Sequence, residues 1–122
     1  MTQKVVLVVD DEPDMLDTFV MVLQPLGYEI FTVVSGEAAL QAIGERRFDL
    51  VITDFMMPGL DGAQTLDAMK AAAPGVPVLV VTGFVTEDVF NACNRHGAAA
   101  IVKKPFGVKE FRELVARLLE PA

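Results

Sequence analysis

Val5-Val6-Leu7-Val8-Val9-Asp10-Asp11-Glu12-Pro13 sets five apolar residues, four of them β-branched, directly against three acids and a proline. A run that is apolar at every position reads as a strand covered on both faces, the usual state of parallel sheets. Pro13, with its fixed φ and no N–H to donate, suits the first position of a helix. The stretch therefore predicts a strand, an acidic turn and a helix. Three further apolar runs end on reactive side chains. Leu50–Thr53 stops at Asp54, Val78–Val81 at Thr82, and Ala99–Val102 at Lys103-Lys104-Pro105. If the four runs are parallel strands of one sheet, their carboxyl ends share the edge where open α/β sheets place ligands. Three carboxylates, a hydroxyl and an ammonium gathered there suit a divalent cation and a phosphoryl group.

The rest of the chain supplies the matching elements. Strands are expected at Lys4–Val9, Glu29–Val34, Asp49–Thr53, Val78–Thr82 and Ala99–Lys103, the second more mixed in polarity, as an edge strand should be. The first helix starts near Pro13, carries the stripe Met15, Phe19, Val22, Leu23, Leu26, and is closed by Gly27. The second follows Ser35, an N-cap residue, and turns Ala39, Leu40 and Ile43 inward. The others span about Asp61–Ala73, Glu87–His96 and Val108–Leu119, the last burying Phe111, Leu114, Val115 and Leu118. Five βα units with nothing left over predict an α/β fold, a three-layer (βα)5 flavodoxin-like sandwich. Its five-stranded parallel sheet should run in the order 2-1-3-4-5, with right-handed crossovers.

Composition bounds the function classes. The chain has 122 residues, 52% of them apolar, so one domain over residues 1–122 is expected and disorder is excluded. Its apolar runs are strand-length, far short of the roughly 20 residues that cross a bilayer, so no membrane association is expected. A short polar start without signal-peptide architecture, and a single cysteine, Cys93, point to the cytoplasm. Cys93 reads as a small core residue. A net charge of −7 argues against direct nucleic-acid binding by this domain.

Asp10 and Asp11 at a helix start also answer the helix dipole. Asp54 changes that reading, because its strand should neighbour the first and end at the same height. Two carboxylates about 4 Å apart repel by roughly 4 kcal/mol at an effective dielectric of 20, so a proton or a cation must join them. A hard, oxygen-rich site favours Mg²⁺, with Asp10, Asp11, Asp54 and the Met56 backbone carbonyl as ligands. Pro58-Gly59 breaks the strand into a turn, leaving Asp54 exposed as a carboxylate nucleophile that phosphorus can convert to an aspartyl phosphate. Thr82 could bond a phosphoryl oxygen, with Gly83 leaving room beside it. Lys104 would pair with Asp54, and a cis bond to Pro105 would turn it toward the pocket.

With these residues in place the chain resembles a response-regulator receiver domain of two-component signalling, chemotaxis-receiver-like, over essentially its whole length. The resemblance rests on Val-Val-Asp10-Asp11-Glu-Pro, Asp54-Phe-Met-Met-Pro58-Gly-Leu-Asp-Gly62, Thr82-Gly83 and Lys104-Pro105-Phe106. It implies that Asp54 is the phosphoacceptor, that Asp11 binds Mg²⁺ directly and Asp10 largely through water, and that Thr82 is the switch hydroxyl and Lys104 the phosphoryl-contacting lysine. It also implies a histidine kinase or small phosphodonor upstream, and a downstream protein or fused output domain. One position departs from the pattern: the aromatic usual three residues before the lysine is Ile101 here. Met56 and Phe84, two residues after Asp54 and Thr82, are apolar and can flank a hydrolytic water.

Phosphorylation would draw Thr82 and Lys104 toward the new charge. That movement should reshape the face made by the fourth helix, fifth strand and fifth helix, the face through which a homodimer could form. Val85, Phe90, Ile101 and Val108 are candidates to line it. His96, the single histidine, is expected to be exposed near a helix end and to play no part in a phosphorelay. Three other readings stand beside this one. A haloacid-dehalogenase-like Mg²⁺ phosphohydrolase would need Asp-x-Asp after the first strand and a cap domain, where this chain has Asp10-Asp11-Glu12 and no residues to spare. A flavin or nucleotide binder would need a glycine-rich phosphate loop. A receiver used only for docking is left open by Ile101. No turnover activity is expected.

Overall fold

The computed structural model of the chain describes residues 3–57 and 61–120. The expected turn at Pro58-Gly59, and Pro121-Ala122, lie outside the described residues. Strands β1 (Val5–Val9), β2 (Glu29–Val33), β3 (Leu50–Thr53), β4 (Val78–Thr82) and β5 (Ala100–Lys103) alternate with helices α1 (Pro13–Leu23), α2 (Gly36–Glu45), α3 (Gly62–Ala72), α4 (Glu87–Arg95) and α5 (Val108–Leu118). All strand pairings are parallel and the order is β2-β1-β3-β4-β5. This is the (βα)5 flavodoxin-like sheet read from the sequence.

Strand register aligns the reactive ends. Val9 pairs with Thr53, Thr53 with Val80, and Thr82 with Lys103, so Asp10 and Asp54 leave neighbouring strands at one level. The pleat alternates side chains between faces, and both faces are filled. Val6, Val8, Leu50, Ile52, Leu79 and Val81 pack with Phe19, Leu23, Phe111 and Val115 from α1 and α5. Leu7, Val9, Val51 and Val78 pack with Ala39, Phe48, Leu66 and Met69 on the α2–α3 side. Continuous apolar strands are what two covered faces require.

Local signals act as read apart from the differences that follow and one on α5. There Phe111 and Val115 are buried as expected, but Leu114 and Leu118 are only half-buried and Leu119 beyond them is buried. Ser35 Oγ accepts from the Ala38 amide, and Asp61 Oδ1 from those of Ala63 and Gln64. Gly62 must lack a side chain because a Cβ there would collide with the Phe55 carbonyl and ring. The first helix ends at Leu23, not Leu26. Pro25 can donate no backbone N–H, so a 3-10 turn over Gln24–Leu26 carries the chain into Gly27 at φ 89° and leaves Leu26 exposed. Leu16, absent from the expected stripe, is buried in place of Met15, which is half-buried. His96 is also less exposed than expected. It sits half-buried with Nδ1 2.7 Å from Asp67 Oδ1 on α3. Cys93 is fully buried, and burial pushes its thiol pKa up.

Candidate functional site

Two of the acids at the sheet edge are buried, Asp10 at 1% exposure and Asp54 at 9%. Each has the same two partners in kind. One oxygen turns back to a backbone amide two residues on: Asp10 Oδ1 accepts from Glu12 N at 3.0 Å, and Asp54 Oδ1 from Met56 N at 2.9 Å. The other oxygen meets Lys104, whose Nζ donates to Asp10 Oδ2 at 2.8 Å and to Asp54 Oδ2 at 2.9 Å. These turns begin where β1 and β3 stop, so the backbone that ends each strand also aims its carboxylate.

Lys104 is placed by packing behind it. Its backbone N–H donates to the Thr82 carbonyl at 2.9 Å, continuing the β4–β5 ladder by one residue. The Lys104-Pro105 bond is cis, the minority form that the sequence left open. Beyond it Phe106 stacks on Phe111, ring centroids 4.3 Å apart, and lies 5.7 Å from Phe19 of α1. In the sequence Phe106 is one residue of the Lys104-Pro105-Phe106 motif; only the folded chain makes it the anchor of the lysine loop. Burial works against the ammonium, but its hydrogen bonds to Asp10 and Asp54, with their charges, outweigh that and hold its pKa above the ordinary value.

Thr82 is fully buried at the end of β4, and its Oγ accepts from the Phe84 amide at 3.3 Å. Ile101 of β5 pairs with Val80 of β4. It is half-buried, and by alternation it faces away from the α1–α5 side to which Ala100 and Val102 belong. Met56 and Phe84 flank the site as exposed apolar groups, at 51% and 66%. Of the residues expected on the signalling face, Phe90 and Val108 are exposed while Val85 is half-buried.

Asp10, Asp11 and Glu12 each present an oxygen within 4.8 Å of the others. Glu12 was not among the expected ligands, though its place beside Asp10-Asp11 was a signal. Asp54 is not one of those three and shares the Lys104 ammonium with Asp10. Asp11 and Glu12 are exposed, and neither has a basic partner among the described residues. Four carboxylates against one ammonium make a hard, oxygen-rich donor set, the chemistry a divalent cation takes.

The sequence matches the response regulator receiver domain family over residues 6–116. The chain belongs to that family. This receiver is 38% identical over 112 residues to the response regulator protein FleR of Pseudomonas aeruginosa, covering 92% of this chain and 24% of that protein. It is 30% identical over 119 residues to sporulation initiation phosphotransferase F of Bacillus subtilis, covering 98% and 96%. Among solved structures it is similar to the response regulator protein TrrA of Thermotoga maritima, solved in complex with Mg²⁺ and BeF. That match has a TM-score of 0.86 at 32% identity, covering 96% of this chain and all of that one. The receiver spans between about a quarter and a half of the first curated relatives it matches. Two-component signalling is thus the system in which it works.

Proposed function

We propose that residues 1–122 act as one phosphorylation-activated receiver domain, taking a phosphoryl group on Asp54 from a histidine kinase or a small phosphodonor. The observation that carries this reading is the Lys104 ammonium held between Asp10 and Asp54 at 2.8 and 2.9 Å. A basic group so placed neutralises the edge where a phosphoryl group would arrive. An oxygen of Asp54 attacks phosphorus while the bond to the donor breaks, and the donor (imidazole or acetate) leaves with the bonding electrons. Attack by water later reverses the state, releasing inorganic phosphate and restoring the carboxylate.

Asp10, Asp11, Asp54 and the Met56 carbonyl would hold Mg²⁺, with Glu12 close by. When bound, the ion would offset charge on the phosphoryl oxygens. Lys104 contacts one of those oxygens and Thr82 donates its hydroxyl to another. The chemistry is stoichiometric, one group per chain, and is not turnover of a substrate.

Adding about −1.5 to −2 charge at Asp54 pulls on the loops after β4 and β5, to which Thr82 and Lys104 belong. The α4–β5–α5 face then differs between the two states, and a partner or fused output domain with unequal affinity for them reads the signal. The same face could pair two copies. Ile101 leaves the aromatic part of the usual coupling out, so Thr82 carries the response. Among the described residues no helix is long and apolar enough to cross a membrane. The reading puts the domain in the cytoplasm, with no nucleic-acid contact of its own.

The test is incubation with Mg²⁺ and acetyl phosphate followed by intact mass. The native chain should gain one phosphoryl group and Asp54→Asn none. Equal labelling of both would overturn the assignment.

A further inference from the structure

The two ends of α4 are held very differently. Its N-terminal end is capped by Thr86 Oγ, which accepts from the Val89 amide at 3.2 Å, but Glu87, Asp88 and Phe90 are exposed. The only buried residue of the helix is Cys93, near its other end.

That other end is fixed in three ways. Gly97, at φ 90°, allows a paired closure in which the Ala98 amide donates to Cys93 O at 2.9 Å and the Gly97 amide to Asn94 O at 3.3 Å. His96, the last residue before that glycine, places Nδ1 2.7 Å from Asp67 Oδ1 on α3. One turn further along α3, Lys70 lays its stem 3.6 Å from where a Cβ on Gly97 would sit and donates from Nζ to Val76 O at 3.4 Å. Asp67 and Lys70 therefore grip the α4–β5 corner from the same face of α3, as residues three apart on a helix can.

We propose that His96 and Asp67 are positioning residues that anchor the C-terminal end of α4 to α3. The helix then responds to its site as a lever whose moving part is the segment from Val85 to Asn91. This inference rests on the phosphorylation reading above and deepens it. It names the part of the face that moves, the segment leading on from Thr82 and Phe84, and the pair that keeps the rest still. A side-chain hydrogen bond of this kind contributes about 0.5–1 kcal/mol net, which is roughly a two- to five-fold bias. That is enough to decide which end of a marginally held helix opens, and too little to decide whether the domain folds.

Amide hydrogen exchange of the full chain, read by NMR with and without Mg²⁺ and beryllofluoride, tests it. In the native chain the ligands should change exchange at Val85–Asn91 strongly and at Cys93–Ala98 less than about two-fold. Asp67→Ala and His96→Ala should each raise exchange at Cys93–Ala98 by about two- to five-fold in the free state, as loss of one hydrogen bond would, and let the ligand response spread into it. Asp67→Asn keeps an acceptor in place and should behave as the native chain. A response spread evenly along the native α4, or unchanged exchange at Cys93–Ala98 in Asp67→Ala, overturns the lever. No response anywhere in the native chain would sink the phosphorylation reading instead, while the free Asp67→Ala chain still judges the anchor.

Discussion

Replacing Lys104 with methionine keeps most of the side chain's volume and removes its charge, which isolates what the ammonium does between Asp10 and Asp54. Their facing oxygens are roughly 6 Å apart at most, since each lies within 2.9 Å of one Nζ; at an effective dielectric of 20 the bare pair repels by about 3 kcal/mol. Asp10 is buried and Asp54 nearly so, which limits relief by water. Breaking a buried charge cluster by removing one partner typically destabilises by 3–5 kcal/mol. Asp54 can still relax toward solvent, so a loss of about 2–3 kcal/mol is expected here in metal-free buffer, or roughly 6–15 °C in Tm for a chain of this size. Mg²⁺ should then shrink the gap, because the variant offers the ion two carboxylates without a competing ammonium. Saturation at a hundred times Kd contributes about 2.7 kcal/mol to either chain, and the tighter-binding variant gains more at any given concentration. Urea unfolding of both chains, with chelator and across a Mg²⁺ titration, measures this directly. A variant as stable as the native chain in chelator, or a gap that widens with Mg²⁺, would refute the electrostatic account of the site.

Alkaline pH probes the same contact from the other side. Lys104 is held above its ordinary pKa of 10.5, burial working to lower it and the two carboxylates prevailing, so its stabilising effect is complete below that value. It is lost as pH rises through the folded-state value; native and Lys104→Met midpoints should therefore converge above about pH 10.5, and a constant gap across that range would contradict the linkage. Met56 and Phe84, exposed beside Asp54 and Thr82, should slow hydrolysis of the phosphorylated state. Met56→Asn with Phe84→Ala should shorten its life several-fold by release of inorganic phosphate, and a half-life of seconds in the native chain would count against the idea. Phe111, 1% exposed and stacked on Phe106, anchors the lysine loop. Phe111→Ala should lower stability by about 3–5 kcal/mol in chemical denaturation; a loss below about 1 kcal/mol would mean that the stack does not hold the loop.

The order of elements was legible because strand and helix periods are local properties. A run such as Val78–Val81 must be covered on both faces, and Pro13, Ser35, Asp61 and Gly27 mark boundaries by their own backbone chemistry. Boundaries set by several residues together were read less well. Pro25 and Gly27 jointly convert the end of α1 to a 3-10 turn, so Leu26, apolar and correctly spaced, is left at the surface.

Parallel strands starting from one side of a sheet must finish on one edge, so the chain by itself determined that Asp10, Asp54, Thr82 and Lys104 would meet. Distances within that meeting belong to the tertiary structure alone. The register of β1 with β3 and of β4 with β5, and the packing of Phe106 on Phe111, bring one ammonium within 2.9 Å of two carboxylates. The same holds for Glu12 beside Asp10 and Asp11, and for His96 against Asp67 across 29 positions of sequence. Periodicity fixes which way a side chain faces, but the partner it finds depends on how separate elements pack.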